Sequence, residues 1–196
     1  MANTENQPLV LALETSSRIG SAALALGDKL IEELAFSGPM SHSAEILPTI
    51  EVLLARQGCG PREIDQVHIA VGPGSFTGLR IAVTLAKSMA LAHGVKIVTV
   101  DSLDVVAANL GEPVMDKAAC DAESPGCPLP DRIAALFDAK RGQFYAAVYD
   151  RVPRKTDARE ITSDEVGYQI PASPGSVWLK VCPDSLMTGR EIMDGY

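Results

Sequence analysis

The sequence predicts an α/β protein built as two related lobes. Three observations carry that reading. Apolar runs in the first half follow the order strand, strand, strand, helix, strand, helix, strand. The pattern at the first strand recurs after residue 135: Leu11-Ala12-Leu13-Glu14 leads through a turn to Gly20 and an Ala-rich strand, and Leu136-Phe137-Asp138 leads through Lys140-Arg141 to Gly142 and a strand ending Ala146-Ala147-Val148. Between the two units lies a stretch, 111–130, broken by prolines, glycines and cysteines.

Residues 1–8 read as a polar, flexible tail. Leu9 to Leu13 is a continuous apolar run, as in a buried strand. Thr15 to Gly20 is a turn rich in side chains that bond back to the chain. Ser21 to Leu26 is a second strand. Gly27-Asp28 turns the chain, and Lys29 to Phe36 is a third strand. A helix follows from about Ser43 to Gln57, with Ile46, Leu47, Ile50, Leu53 and Leu54 on one broad face. Pro48 either starts its stable part or kinks it. Gly58 and Gly60-Pro61 end it. Val67 to Val71 is a strand, Thr77 to His93 a long helix stopped by Gly94, and Val95 to Val100 another strand. Asp101 or Ser102 can cap a helix over Leu103–Leu110. Past the 111–130 loop come a strand over Ile133–Phe137, the turn Lys140-Arg141-Gly142 and the partner strand Phe144–Tyr149. Ile161 to Tyr168 reads as a short helix or an irregular connection, and Val177 to Val181 as a strand. The lobes are therefore expected at 9–110 and 131–196. Two α/β lobes of this order are the plan of the actin-like ATPase fold, of the ribonuclease H-like class.

Composition narrows the function. The chain is 46% hydrophobic and 21% charged, ordinary for a globular protein with a buried core. Aromatic residues make up only 5%, so Ala, Val, Leu and Ile must fill that core. A net charge of −8 repels phosphate backbones and argues against an independent nucleic-acid binder. Of the four cysteines, Cys59, Cys120, Cys127 and Cys182, none forms a CxxC pair, which favours reduced thiols over a zinc site. The apolar run at Leu9 stops at Glu14, so no signal peptide is read. No stretch approaches the roughly 20 apolar residues of a membrane span. The expected compartment is the cytoplasm.

The strongest motif is Gly72-Pro73-Gly74-Ser75-Phe76-Thr77-Gly78-Leu79-Arg80-Ile81, where a strand gives way to a helix. Amides exposed at such a helix start can bind a phosphate or carboxylate. The spacing is neither that of a Walker loop nor that of a dinucleotide fingerprint. On physical grounds a purely structural turn is favoured. The helix beyond it carries Ala82, Ala86 and Ala90 at a spacing of four, with Val83, Leu85, Met89 and Leu91 around them. Such a helix wants burial on more than one side. Either its own lobe covers it or one face docks a partner. Glu14 and Asp138 end their strands at loops, where carboxylates can hold a metal or a water; turn capping is the favoured reading. His42 has Glu45 near it but no second histidine, and a catalytic metal needs about three protein ligands. Ser16, Ser17 and Ser75 lack a nucleophile elbow.

At Gly72–Ile81 the sequence resembles the TsaB (YeaZ) family signature GPGSFTGxRI without interruption. Leu11–Ser16 resembles that family's opening strand and loop. Ser41-His42-Ser43 with Ile46-Leu47-Pro48 resembles its first helix, Ile64-Asp65 fits the segment before the next strand, and Asp138 with Arg141-Gly142 and Tyr145 resembles its second hairpin. The resemblance covers about residues 9–150. It implies a non-catalytic subunit that pairs with TsaD, which transfers a threonylcarbamoyl group to tRNA adenosine, and is joined by the ATPase TsaE. It implies no tightly bound cofactor, with ATP or ADP expected only at the partner interface, tRNA contact only through the complex, and a homodimer as the alternative when alone. His42 stands where one of TsaD's metal-binding histidines would be, and Glu45 near the other. The two helices that the family packs against TsaD correspond to about His42–Gln57 and Thr77–His93. The interface so expected takes His42, Glu45, Ile46, Ile50, Leu53, Arg80, Val83 and Lys87. A nucleotide or anion would touch Glu14, Thr15, Ser16, Gly74 and Ser75. Two departures stand out. Lys140-Arg141 replaces the simpler A-R-x turn, and Cys182-Pro183 replaces the Gly-rich step after Val177–Val181, so the second lobe is expected to be short or incomplete. The competing classes are an independent actin-like ATPase or small-molecule kinase, and a metalloprotease, which the ligand count disfavours.

Overall fold

The computed structural model of the chain describes residues 7–39, 41–109, 131–153, 170–173 and 176–188. The chain forms two compact units, Met1–Ser102 and Leu103–Tyr196. In the first, β1 (Leu9–Glu14), β2 (Ser21–Leu26) and β3 (Lys29–Ala35) form an antiparallel meander. Gly27, at φ 61°, makes its tight turn and donates its N–H to Pro8 O at 2.9 Å. The last residue of the expected tail is thus tied to the sheet. Helix α1 (His42–Gln57) leads through a 3₁₀ turn (Pro61–Glu63) to β4 (Gln66–Ala70), helix α2 (Phe76–His93) and β5 (Lys96–Val100). β4 and β5 add in parallel, which gives the order β3-β2-β1-β4-β5.

Strand alternation sets the core. Leu11 lies between Leu24 and Val67, and Leu13 between Ala22 and Ile69. Leu11, Leu24 and Val67 are 0% exposed, and burying such side chains contributes about 1.5–3 kcal/mol each. α1 covers β2 and β3, and α2 covers β4 and β5. Ile46, Ile50, Leu53 and Leu54 come from α1, and Ala82, Ala86 and Met89 from α2. Pro48 neither starts nor ends α1; the helix runs through it. Pro48 and Ala44 are both exposed, so water can satisfy the carbonyl that loses its intrahelical partner. Gly58 and Gly94 close the two helices in the left-handed conformation.

Helix α3 (Ser102–Ala108) starts where the units divide. The sequence assigns it to the first lobe, but its inner face, Leu103 and Ala107, packs with Ile133, Ala135, Ala147 and Tyr149 of the second unit. The period of an amphipathic helix does not say which sheet it faces. The second sheet is antiparallel, in the order β6-β7-β9-β8, from β6 (Arg132–Lys140), β7 (Gln143–Pro153), β8 (Ile170–Ser173) and β9 (Ser176–Thr188). Arg141 and Gly142, at φ 56° and 76°, form the two-residue turn between β6 and β7, as right-handed strand twist prefers. Arg132 and Asp150 pair across it at 2.6 Å, and the guanidinium holds the Asp150 carboxyl below the usual carboxylate range. β9 extends past the expected strand end at Val181 to Thr188. Pro183 falls where two residues, Pro183 and Asp184, oppose one between the Val148–Cys182 and Ala146–Ser185 pairs, a bulge in which a missing N–H is tolerated. β8 has no counterpart in the sequence reading. The expected 111–130 loop and the Ile161–Tyr168 segment lie outside the described residues.

Two substitutions and one control probe these cores. A Cβ on Gly78 would stand 1.9 Å from Thr15 O, so Gly78→Ala should lower unfolding free energy by roughly 1–3 kcal/mol or abolish folding. Gly38→Ala, with nothing within 4 Å, should leave a urea melt unchanged. In the second unit, Tyr149 donates its hydroxyl hydrogen to Asp104 Oδ1 at 2.6 Å in a buried setting. Tyr149→Phe should cost about 1–2 kcal/mol, read by thermal or urea unfolding.

Candidate functional site

The Gly72–Gly78 loop is held against the exit of β1. The N–H of Val71 donates to Val100 O at 3.0 Å, and Ser102 N–H to Gly72 O at 2.8 Å, which ties the loop to β5 and its end. Ser75 caps α2: its Oγ accepts the Gly78 N–H at 3.3 Å. Its own N–H donates to Ser16 O at 2.7 Å, and Thr15 donates its hydroxyl hydrogen to Gly78 O at 2.9 Å. Thr15 and Ser16 are 0% and 2% exposed. Glu14 accepts from both the N–H and the hydroxyl of Ser16. The five residues expected at an anion site, Glu14, Thr15, Ser16, Gly74 and Ser75, are therefore neighbours. A Cβ on Gly74 would meet Ser16 O at 2.6 Å, so this contact too requires glycine. Two amide donors that an anion would use at the helix start, those of Ser75 and Gly78, are given to Ser16 O and Ser75 Oγ. Chemically the loop is a clamp between a strand end and a helix start. Asp138, in the other unit, accepts the Lys140 N–H at 2.7 Å and serves its hairpin.

The expected docking residues separate into two groups. His42, Ile46, Ile50 and Leu53 are 3%, 4%, 6% and 0% exposed. They belong to the unit's own interior, where the expectation had them face a partner, and of the four Ile46 also lines the groove between α1 and α2. The His42 ring lies 5.6 Å from the Phe36 ring, its Nε2 is 2.9 Å from Ser17 O, and its Nδ1 is buried without a hydrogen-bond partner. The physical reason is a degeneracy: spacings of three and four mark an apolar helix face without saying what covers it. Val83 is half-buried against the same core. Glu45 accepts the Ser37 N–H at 2.6 Å and its hydroxyl at 2.7 Å, fastening the β3–α1 connection to the first turn of α1. The Ser37 amide, more than the hydroxyls of Ser41 and Ser37, holds its carboxyl below the usual range. Arg80 and Lys87 are exposed.

Between α1 and α2 runs a groove of about 480 Å³, lined by Ser43, Ile46, Leu47, Thr77, Arg80, Ile81, Thr84, Leu85 and Ser88. Leu47 is 55% exposed on one wall. At its end the Arg80 guanidinium sits over the ring of Phe76, 5.4 Å from the centroid, and Phe76 is 73% exposed. The sequence reading missed Leu47, Thr77, Thr84 and Ser88. Their signal was present: Thr77, Thr84 and Ser88 repeat at seven and four residues, opposite the buried Ala82 and Ala86. Among the described residues no group of three or more His, Cys, Asp and Glu side chains could hold a metal ion, and no helix is long and apolar enough to cross a membrane.

Residues 39–177 match the family model for TsaD, tRNA N6-adenosine threonylcarbamoyltransferase. The tRNA threonylcarbamoyladenosine biosynthesis protein TsaB of Bacillus subtilis is 34% identical over 140 residues, 71% of this chain and 54% of that protein. TsaB of Haemophilus influenzae is 30% identical over 165 residues, 80% of this chain and 63% of that protein. The chain thus spans between half and two thirds of the length of these relatives. A tRNA N6-adenosine threonylcarbamoyltransferase of Anaeromyxobacter dehalogenans is 39% identical over 74 residues, 37% of this chain and 22% of that one. Among solved structures, YeaZ from Pseudomonas aeruginosa superposes with a TM-score of 0.64 at 21% identity, over 92% of this chain and 68% of that one. That likeness concerns the fold, and with the five-stranded sheet it fits the actin-like, ribonuclease H-like class. The family model covers more than half of the chain and the TsaB relatives cover most of it, so the chain belongs to the TsaB (YeaZ) family of TsaD-type domains.

Proposed function

We propose that the chain is a non-catalytic partner subunit in the biosynthesis of threonylcarbamoyladenosine in tRNA, docking a TsaD-type subunit through the α1–α2 groove. The observation that carries the reading is the groove, with Leu47 exposed on one wall and the Phe76–Arg80 pair at its end. Aromatic and arginine side chains dominate the energetics of many interfaces, and exposed apolar area favours association at about 25 cal/mol per Å² before ordering costs. The names of the TsaB relatives and the TsaD family model supply the pathway. The clamped Gly72–Gly78 loop supports a mechanical rather than a phosphate-binding use of the signature. In this reading the two units are related lobes of one actin-like plan. An ATPase of the TsaE type joins the assembly, any ATP or ADP sits at the partner interface, tRNA is held through the complex, and the site of action is the cytoplasm.

Co-purification with the TsaD-type protein of the same organism tests the proposal. Leu47→Glu places a charge in the seam, where it would have to be desolvated, and should weaken the complex about ten-fold or more. Because Leu47 is 55% exposed, the melting temperature of the isolated chain should not move. Val83→Glu, against the core, should lower it. Wild-type chain that forms no such complex, or Leu47→Glu that binds as wild type does, would sink the reading; self-association lost in Leu47→Glu would assign the groove to a second copy. A second measurement addresses chemistry. Glu14→Ala and Asp138→Ala should leave tRNA modification by the reconstituted complex within a few-fold of wild type, whereas loss of a catalytic group costs orders of magnitude.

A further inference from the structure

A second cavity of about 480 Å³ opens at the other end of the first sheet, where β4 and β5 begin and α2 ends. Arg62 comes from the 3₁₀ turn, His93 from the end of α2 and Lys96 from the start of β5; all three are exposed. Gln7 and Gln66 line it with them. The amide oxygen of Gln66 is 3.0 Å from His68 Nε2, which leaves its NH₂ as the group to offer. The floor is apolar, from Ile64 and Val95, at 3% and 6% exposed.

The single acid of the lining, Asp65, is engaged in the fold. Its Oδ2 accepts the Leu9 N–H at 2.8 Å, its N–H donates to Leu9 O at 2.9 Å, and its carbonyl accepts the Lys96 N–H at 2.9 Å. The C-terminus of α2 adds a partial negative charge, which His93 and Lys96 are placed to offset. Arg62 lies on a separate element and has no such task. In a chain with 25 acidic residues against 17 Lys and Arg, three basic groups from three elements converge on one cavity.

We propose that this cavity binds a phosphate ester. A guanidinium, an ammonium, an imidazole and a carboxamide NH₂ are all donors, and an anion with three or more acceptor oxygens matches them better than a two-oxygen carboxylate does. Arg62 offers the planar fork that phosphates accept, and Lys96 a point charge. The volume falls in the range of small-molecule sites and exceeds a bare phosphate, which leaves room for the organic part of the ester over Ile64 and Val95. The source of the ester is either a free nucleotide-sized molecule or the backbone of an RNA. The site shares no residue with the α1–α2 groove, so it stands or falls apart from the docking role.

The full chain is titrated at low salt with inorganic pyrophosphate, with adenosine monophosphate and with a short RNA stem-loop, following backbone amides by NMR. The expected result is saturable shifts confined to residues 62–66 and 93–96 for at least one probe, weakening as salt rises. The double variant Arg62→Glu, Lys96→Glu should lower that affinity about ten-fold or more; both side chains are exposed, so the melting temperature should fall by no more than the loss of a charge at the end of α2 costs. If that variant does not fold, Arg62→Gln with Lys96→Gln removes the charges alone and should weaken binding in the same direction. Binding of the two small probes assigns a free ester; binding of the RNA alone assigns a nucleic-acid backbone. Absence of localised shifts with all three probes overturns the proposal, as does binding that the charge-removing variants leave unchanged.

Discussion

The first unit depends on one close approach. The first turn of α2 reaches the exit of β1 so nearly that Gly78 has no room for a side chain; a Cβ there would meet Thr15 O at 1.9 Å. Thr15 uses that proximity, donating its hydroxyl hydrogen to the carbonyl of Gly78, and Ser75 N–H donates to Ser16 O from the other side. These contacts fix where α2 begins relative to β1. Ala82 and Ala86, both fully buried, then keep it close along the sheet, as residues without bulk allow. The groove between α1 and α2 follows from the same constraint, because α1 is set against β2 and β3, and β2 is hydrogen-bonded to β1.

Much of this was legible in the sequence. Continuous apolar runs gave the strands of the first sheet, glycines gave the helix ends at Gly58 and Gly94, and the Lys140-Arg141-Gly142 turn placed the second hairpin. The five residues Glu14, Thr15, Ser16, Gly74 and Ser75 did come together. What was not legible is partnership. Ile50 and Leu53 have the spacing of a docking face and are interior, because a period of 3.6 records that a face is covered and not by what. α3 failed the same way: Leu103 and Ala107 mark an inner face, but only the fold gives them to the second core. The strand expected to end at Val181 runs on to Thr188, because a bulge at Pro183 removes the need for its N–H.

The helix pair shows how one sequence serves two faces. On α2, Ala82, Ala86 and Met89 face inward, and Thr77, Arg80, Thr84 and Ser88 reach the groove. Short polar side chains there carry little conformational entropy and can be covered at modest desolvation cost if their hydroxyls find partners; the Ser88 hydroxyl already donates to Thr84 O at 2.9 Å. Leu47 and Phe76 stand large and apolar in water beside the groove, Leu47 in its lining and Phe76 under Arg80, while Val52 and Leu91 are exposed elsewhere on the same two helices.

The same accounting of donors shows what the Gly72–Gly78 loop does inside the chain. A phosphate-binding helix start keeps its amides unpaired and directed outward until the ligand arrives. Here Ser75 N–H goes to Ser16 O, Gly78 N–H to Ser75 Oγ and Leu79 N–H to Ser75 O. An anion that took the Ser75 or Gly78 amide would have to break the bond to Ser16 or the capping bond of α2. The glycines are therefore needed for backbone approach between two elements of the chain itself, as Gly74 and Gly78 both require, and the signature acts as the fixture that presents the α1–α2 groove in one geometry. A partner that reads the groove would read this fixture indirectly, since any change that loosens the Thr15–Gly78 contact shifts the wall carrying Thr77, Arg80 and Thr84.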